Sequence, residues 1–385
     1  MTSMKLSNCV DIVGGAVSPF SGKRFYLSTG TLKGDIIDES ELVEVTYDNR
    51  PSRANVNVSV GDIIFAKMKS TIKVLRITSK EQNFIVSTGF YAIRPHSDVD
   101  SDFIVQYLLS DAFNVQKDKY CTGATQKALT NTGFAKIDVP KLSLDSQRQI
   151  GYTLSLAASA IRKRYEQLAI LDKLEIDSFV EMFGDPLINP HGWEKCALGS
   201  KCDIVTGNTP PRANPNYYGD FLEWIKSDNI NTNGTYLTTA VEYLSEEGAA
   251  RGRFVDKGSI LMTCIAGSLS CIGNVAIADR RVAFNQQINA IVPRDGIETN
   301  FLYFLFRLTK SYIQGDVNMS LKGIVNKGKL SAMSFIFPPT ELQKEYSEKV
   351  ELIEGQKKLL KRSLSYLKET YQATLQKAFN GELFQ

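Results

Sequence analysis

The chain has 385 residues and a mass of 42.8 kDa, which at roughly 100 to 200 residues per domain predicts two or three domains rather than one core. Its 43% hydrophobic and 23% charged content is ordinary for a globular protein, and 45 basic against 42 acidic residues leave a net charge of +3, so any nucleic-acid surface must be local. No apolar run approaches the roughly 18 residues of a membrane span, and the first residues lack the apolar core of a secretion signal, so a soluble cytoplasmic protein is expected.

In chain order, Leu6-Ser-Asn-Cys-Val-Asp-Ile-Val-Gly-Gly15 leads into short β-type runs at 62–66 and 72–77, punctuated by turn residues. A short helix is expected at 102–110. From 145 to 182, apolar residues fall at Ile150, Leu154, Ala157, Ile161, Leu168 and Leu171, then near Leu174, Phe179 and Met182. Alternating steps of three and four are the stripe of a coiled coil on one long helix. Gly184-Asp-Pro-Leu-Ile-Asn-Pro-His-Gly-Trp193 ends that helix, and both this stretch and Pro140 read as flexible junctions. β-type runs follow at 259–263 and 274–278, and a short helix at 299–308. A second stripe then runs through Tyr346, Val350, Ile353, Leu360, Leu364, Leu367 and Tyr371, closed by Leu375 and Ala378, with Asn380-Gly381 as its stop.

The chain therefore repeats itself. Asp11-Ile12-Val13 recurs as Asp203-Ile204-Val205, Val60-Gly-Asp-Ile-Ile-Phe65 as Lys257-Gly-Ser-Ile-Leu-Met262, and Ala92-Ile-Arg-Pro95 as Ala290-Ile-Val-Pro293. The long helices open at Gln147 and Gln343. All four matches keep their order and an offset of about 195 residues, as two copies of one unit must. The expected fold class is α+β: tandem modules at 1–140 and 186–339, each followed by a long helix, at 141–185 and 340–385. A helix of about 38 residues extends roughly 57 Å, too long to bury its stripe on its own module, so the two stripes are expected to pair. A pseudo-twofold repeat makes that pair an antiparallel coiled coil.

The six cysteines form no CxxC pair and only His96 and His191 accompany them, which argues against zinc and against histidine acid–base catalysis. No GxxxxGK[ST] loop exists for nucleotide hydrolysis. Asn214-Pro-Asn-Tyr217 is similar to the loop by which amino-methyltransferases hold a flipped adenine, but no glycine-rich strand–turn–helix accompanies it to hold a methyl donor, and a Pro/Asn turn is the simpler reading.

Several stretches resemble the specificity (S) subunit of type I restriction–modification systems, the HsdS family, and the resemblance covers the whole chain. They are Thr206-Gly-Asn-Thr-Pro-Pro211 with Tyr217-Tyr-Gly219, Trp224-Ile-Lys-Ser-Asp-Asn-Ile230, Thr122-Gly-Ala-Thr-Gln-Lys-Ala-Leu129, Pro339-Thr-Glu-Leu-Gln343 and Ala378-Phe-Asn-Gly-Glu-Leu383. The first copy departs at Gly14-Gly-Ala-Val-Ser-Pro19, and no Trp answers to Trp224. The resemblance implies a non-catalytic DNA-recognition subunit whose two domains each read half of a bipartite, asymmetric target while the helices set the spacing. It further implies docking of two methyltransferase (modification) subunits and of translocating restriction subunits. S-adenosylmethionine, ATP and Mg would sit on those partners, with no cofactor on this chain. A self-contained DNA adenine methyltransferase is the enzymatic alternative, and a coiled-coil scaffold without DNA function is the third.

Candidate DNA-contacting residues follow from side-chain chemistry, since lysine and arginine meet phosphate while Asn, Gln and Arg read base edges. The first module offers Lys67, Lys69, Lys73, Arg76 and Lys80, with Gln126 and Lys127 in the Thr122–Leu129 motif. In the second module Arg212, Lys226, Arg251, Arg253, Lys322, Lys327 and Lys329 fall on expected loops, with Asn229, Asn285 and Gln286 as base-reading amides.

Overall fold

The computed structural model describes residues 2–230, 234–315, 323–380 and 382. Lys322, Gly381 and Leu383 lie outside the described residues. Contacts divide the chain into two compact units, one made of Met1–Glu166 with Lys361–Gln385 and the other of Gln167–Leu360.

The first unit holds two four-stranded sheets. One runs in the order Val43–Val45, Arg24–Leu27, Ile85–Ser87, Ala54–Asn57, and the other Val10–Val13, Phe90–Pro95, Ile63–Ala66, Val74–Arg76. Successive side chains of a strand point to opposite faces. Ile64, Ala66, Phe90 and Ala92 accordingly pack against Leu27, Val56 and Val86 of the first sheet. Their neighbours Ile63, Phe65, Tyr91 and Ile93 instead share a core with Phe103, Tyr107 and Phe113. Those three belong to the helices Ser101–Leu109 and Asp111–Tyr120. Both faces of Ile63–Ala66 are buried, which explains a continuous apolar run where a one-sided strand would alternate. Asp100 caps the first of these helices, its carboxylate accepting from the Phe103 amide at 2.8 Å.

The second unit repeats this plan. Its four-stranded sheet runs Cys202–Thr206, Ile288–Pro293, Ile260–Thr263, Val275–Ile277, the same order with a matching register: Ile12 pairs with Ile93 as Ile204 pairs with Ile291. A second, larger sheet has five strands, in the order Tyr218–Gly219, Tyr243–Leu244, Leu222–Ile225, Val282–Phe284, Phe254–Val255. Each unit contains a parallel strand pairing, Ile85 with Tyr26 and Ala283 with Trp224. That equivalence shows what the motif comparison missed: an aromatic residue does answer to Trp224, and it is Tyr26. The helix Thr299–Leu308 matches the expected bounds, whereas Asp111–Tyr120 was not foreseen. Its sequence Asp-Ala-Phe-Asn-Val-Gln-Lys-Asp-Lys-Tyr is mostly polar, and packing of Phe113 rather than periodicity anchors it.

The long helices are Leu144–Phe183 and Thr340–Asn380, of 40 and 41 residues, about 60 Å each. Within each unit they run antiparallel. In the first, Ile150 and Leu154 share a core with Leu375, Ala378 and Phe379, and Lys368 Nζ donates to the Tyr165 hydroxyl at 2.7 Å. In the second, Phe179 and Phe183 pack on Tyr346. The seam is not apolar throughout. Leu174 is exposed, and the inward positions after Leu171 and between Ile353 and Leu360 carry Glu175 and Lys357 instead. Lys357 Nζ reaches Asp172 at 2.7 Å, Glu175 at 3.0 Å and Glu354 at 2.6 Å.

The junction after the first long helix, expected to be flexible, is a stapled turn. Gly184 sits at φ +75°, and a Cβ there would lie 2.4 Å from the Pro190 ring. The Asn189 amide exchanges hydrogen bonds with the Trp193 backbone, and the Trp193 indole donates to the Phe183 carbonyl at 2.9 Å. Side-chain closure of this kind is not visible in a Pro/Gly count.

Candidate nucleic-acid interface

In the first module the hairpin Cys121–Thr122 with Ala128–Leu129 lies beside the segment leaving Ile63–Ala66. The Lys69 amide donates to the Lys127 carbonyl and the Leu129 amide to the Lys67 carbonyl, both at 2.9 Å. Two stretches far apart in sequence thus put Lys67, Lys69, Gln126 and Lys127 together. Lys69, Gln126 and Lys127 are exposed, and their side chains make no hydrogen bond or ion pair among the described residues. Lys67 is half-buried with its ammonium 4.4 Å over the Tyr91 ring, and burial lowers its pKa.

The other first-module candidates are engaged differently. Lys73 donates to the Thr29 carbonyl, and Arg76 pairs with Asp102 at 2.7 Å. Lys80 is exposed on the turn beyond. An arginine–aromatic cluster escaped the sequence reading. Arg24 lies 4.3 Å over Phe20, Arg50 lies 3.9 Å over Tyr47, and the two rings meet edge to face. Basic and aromatic residues spaced three or four apart, at 20 and 24 and at 47 and 50, were the available signal.

In the second module the segment 206–212 crosses the ends of both sheets. Gly207 makes that crossing possible, because a Cβ there would meet the Asn285 and Phe284 carbonyl oxygens at 2.1 and 2.5 Å. Tyr218 donates from its hydroxyl to the Pro210 carbonyl at 2.6 Å and the buried Trp224 from its indole to Asn208 at 3.3 Å, fixing the loop on an aromatic platform. Over that platform lie Arg212, 4.5 Å from Tyr218 and 4.9 Å from Trp224, and Lys226, 5.3 Å from Trp224. Glu242 accepts from both cations. Hydrogen bonding to Lys226 and Arg212 holds its carboxyl below the usual range despite partial burial. Thr209 donates to the exposed Gln286, and Arg253 to the Thr206 carbonyl, so both edge the same surface. Arg251 lies 4.9 Å over Tyr217.

Asn229 and Asn285 are spent inside the fold. The Asn229 amide accepts from the Lys226 backbone and donates to Thr238 and Thr239, and Asn285 exchanges both its groups with Gln287. Lys327 and Lys329 lie on the short helix Lys327–Ala332, apart from this cluster in sequence and capped by Asn326. Asn214-Pro-Asn-Tyr217 is a capped 3-10 turn with Tyr217 buried, as a turn-forming role requires. Among the described residues no His/Cys/Asp/Glu group is arranged to hold a metal, and no helix is long and apolar enough to cross a membrane.

Residues 18–168 and 190–369 match the family model described as type I restriction modification DNA specificity domain. The specificity subunit of the type I restriction enzyme HindI from Haemophilus influenzae is 30% identical over 93% of this chain and 94% of its own length. That of MjaIX from Methanocaldococcus jannaschii is 28% identical over 44% of this chain and 40% of its own. Among solved structures, a type I restriction–modification S subunit from M. genitalium matches with a TM-score of 0.61 at 15% identity, covering 98% of this chain and 96% of that one. A chain from work on complex assembly and conformational transition of the type I R-M system gives 0.58 at 21% identity, covering 99% and 98%. Both share the α+β fold.

Proposed function

Because the chain belongs to the type I restriction modification DNA specificity family, we propose that its two modules, 1–140 and 186–339, each read one half of a bipartite, asymmetric duplex target. The observation that carries this is the repeated module with conserved sheet register but different surface chemistry. Equivalent scaffolds thus present Lys69, Gln126 and Lys127 in one module and Arg212, Lys226 and Gln286 in the other. Two halves of one shape and unlike side chains suit two unlike half-sites. Asn229 and Asn285 support those surfaces from within, and Lys322 and Lys327 remain candidates for phosphate contact.

The long helices act as the spacer between the readers and as docking surface for two modification subunits, with restriction subunits joining the assembly. S-adenosylmethionine, ATP and Mg belong to those partners, and the complex works in the cytoplasm. The chain itself is the DNA-recognition component and not a catalyst; the self-contained methyltransferase reading has no support, since its one suggestive motif is a structural turn.

Sequencing of N6-methyladenine in a host carrying this chain and a cognate modification subunit tests the reading. A two-part motif is expected, and exchanging residues 1–140 for another family member's module should change one half and spare the other. Alteration of both halves would refute modular reading.

A further inference from the structure

Glu242 was not among the candidates read from the sequence, yet it joins two residues that were, Arg212 and Lys226. Its carboxylate lies between two cations that share one aromatic platform. Arg212 Nη2 donates to one oxygen at 2.7 Å and Lys226 donates to the other. Without the carboxylate, an ammonium and a guanidinium near the same indole would repel each other and turn outward to solvent. With it, both lie along Trp224, the guanidinium also against Tyr218. The three charged side chains are partly exposed, at 54% for Arg212, 32% for Lys226 and 34% for Glu242. Exposed ion pairs are weak, so an incoming acceptor can exchange with the carboxylate.

We infer that Glu242 is a specificity-determining residue: a counter-anion that occupies Arg212 and Lys226 in the free chain and withholds them from indiscriminate phosphate contact. The inference rests on the DNA-reading role proposed above. A phosphate from any sequence must displace Glu242 to gain either cation, and gains a charge-assisted contact that carries no sequence information. A base edge that accepts two hydrogen bonds from a guanidinium already ordered on its platform gains geometry as well as charge. The carboxylate thus penalises non-specific contact more than matched contact, as discrimination requires. In the first module Lys67, Lys69 and Lys127 make no ion pair among the described residues, so that cluster lacks such a counter-anion.

The test is binding of the full chain to a labelled mixed-sequence DNA duplex across a potassium chloride series. Glu242→Gln preserves shape and removes the charge. It should steepen the dependence of log affinity on log salt by about one unit and tighten non-specific binding roughly three- to tenfold, because one or two phosphate contacts are gained. In an R212Q/K226Q background, adding E242Q should change nothing. If the E242Q effect persists there, Glu242 acts by general repulsion of DNA and the inference fails; it fails equally if E242Q leaves the slope of the wild type unchanged. Thermal melting checks the fold, and Glu242→Asp, too short to bridge both cations, provides an independent variant expected to steepen the slope in the same direction. A wild-type chain with no salt-dependent duplex binding would instead overturn the DNA reading itself, and this inference with it.

Discussion

Lys357→Met should destabilise the second unit by about 3–5 kcal/mol, the cost of leaving buried carboxylates without their cation. Lys357 is 5% exposed and Glu175 1%, so water cannot replace the lost partner. Burial pushes the Lys357 ammonium toward neutrality, but its bonds to Asp172, Glu354 and Glu175 outweigh that and hold it charged. One ammonium cannot neutralise three carboxylates, and the least accessible one gives way: burial raises the Glu175 pKa to about 7. Glu354 is drawn below its usual value, burial notwithstanding, by its bonds to Lys357, Glu175 and Thr235. Urea unfolding of wild type, K357M and K357M/E175L distinguishes the causes. The double variant should recover most of the loss, because an apolar pair of similar volume needs no desolvation of charge. Equal instability of both variants would mean that lost packing, not the orphaned carboxylate, sets the cost.

The same residue sets a pH dependence. A carboxyl raised from 4.5 to about 7 on folding binds its proton more tightly in the native state. Its contribution to stability is complete below about pH 4.5 and is lost as pH rises through about 7. Glu175→Gln, which cannot titrate, should flatten the stability profile over that window. A variant as pH-sensitive as the wild type would place the titration elsewhere.

The second large effect concerns target spacing. A heptad inserted in both helices, between Glu166 and Gln167 and between Leu360 and Lys361, keeps the stripe in phase. The sites avoid the Lys357 cluster and the Lys368–Tyr165 bond, each of which fixes antiparallel register in its own unit. One heptad adds about 10.5 Å of helix. Against a rise of about 3.4 Å per base pair, the non-specific gap in the methylated motif should grow by up to about three base pairs. A two-residue insertion turns the stripe by about 200° and should impair folding instead. A folded, active heptad variant whose motif keeps its original gap would remove the spacer role from the helices.

Repetition and periodicity are local properties, and they were enough to determine a great deal. The recurring Asp-Ile-Val, Gly-Asp-Ile-Ile and Ala-Ile segments predicted two copies of one unit, and the two copies do share strand register. Three-and-four spacing predicted two long helices within a few residues of Leu144–Phe183 and Thr340–Asn380. Residue type alone also brought Lys69, Lys127, Arg212, Lys226 and Gln286 forward as candidates.

Only the tertiary structure decided which of these side chains are available. Asn229 and Asn285 look like base readers by composition, yet turns that close through Thr238 and Gln287 consume their amides. Glu242 is unremarkable in sequence and becomes central because pairing of its strand segment with Trp224 carries it to two cations that lie 16 and 30 residues away. Glu175 and Lys357 likewise interrupt the apolar stripe and had no place in the expected seam. Opposed across antiparallel helices, they become one ionic cluster. Local pattern specifies elements because backbone geometry repeats along the chain, whereas partner choice among charged and amide groups depends on which distant segments are brought within about 3 Å, a distance set only by packing.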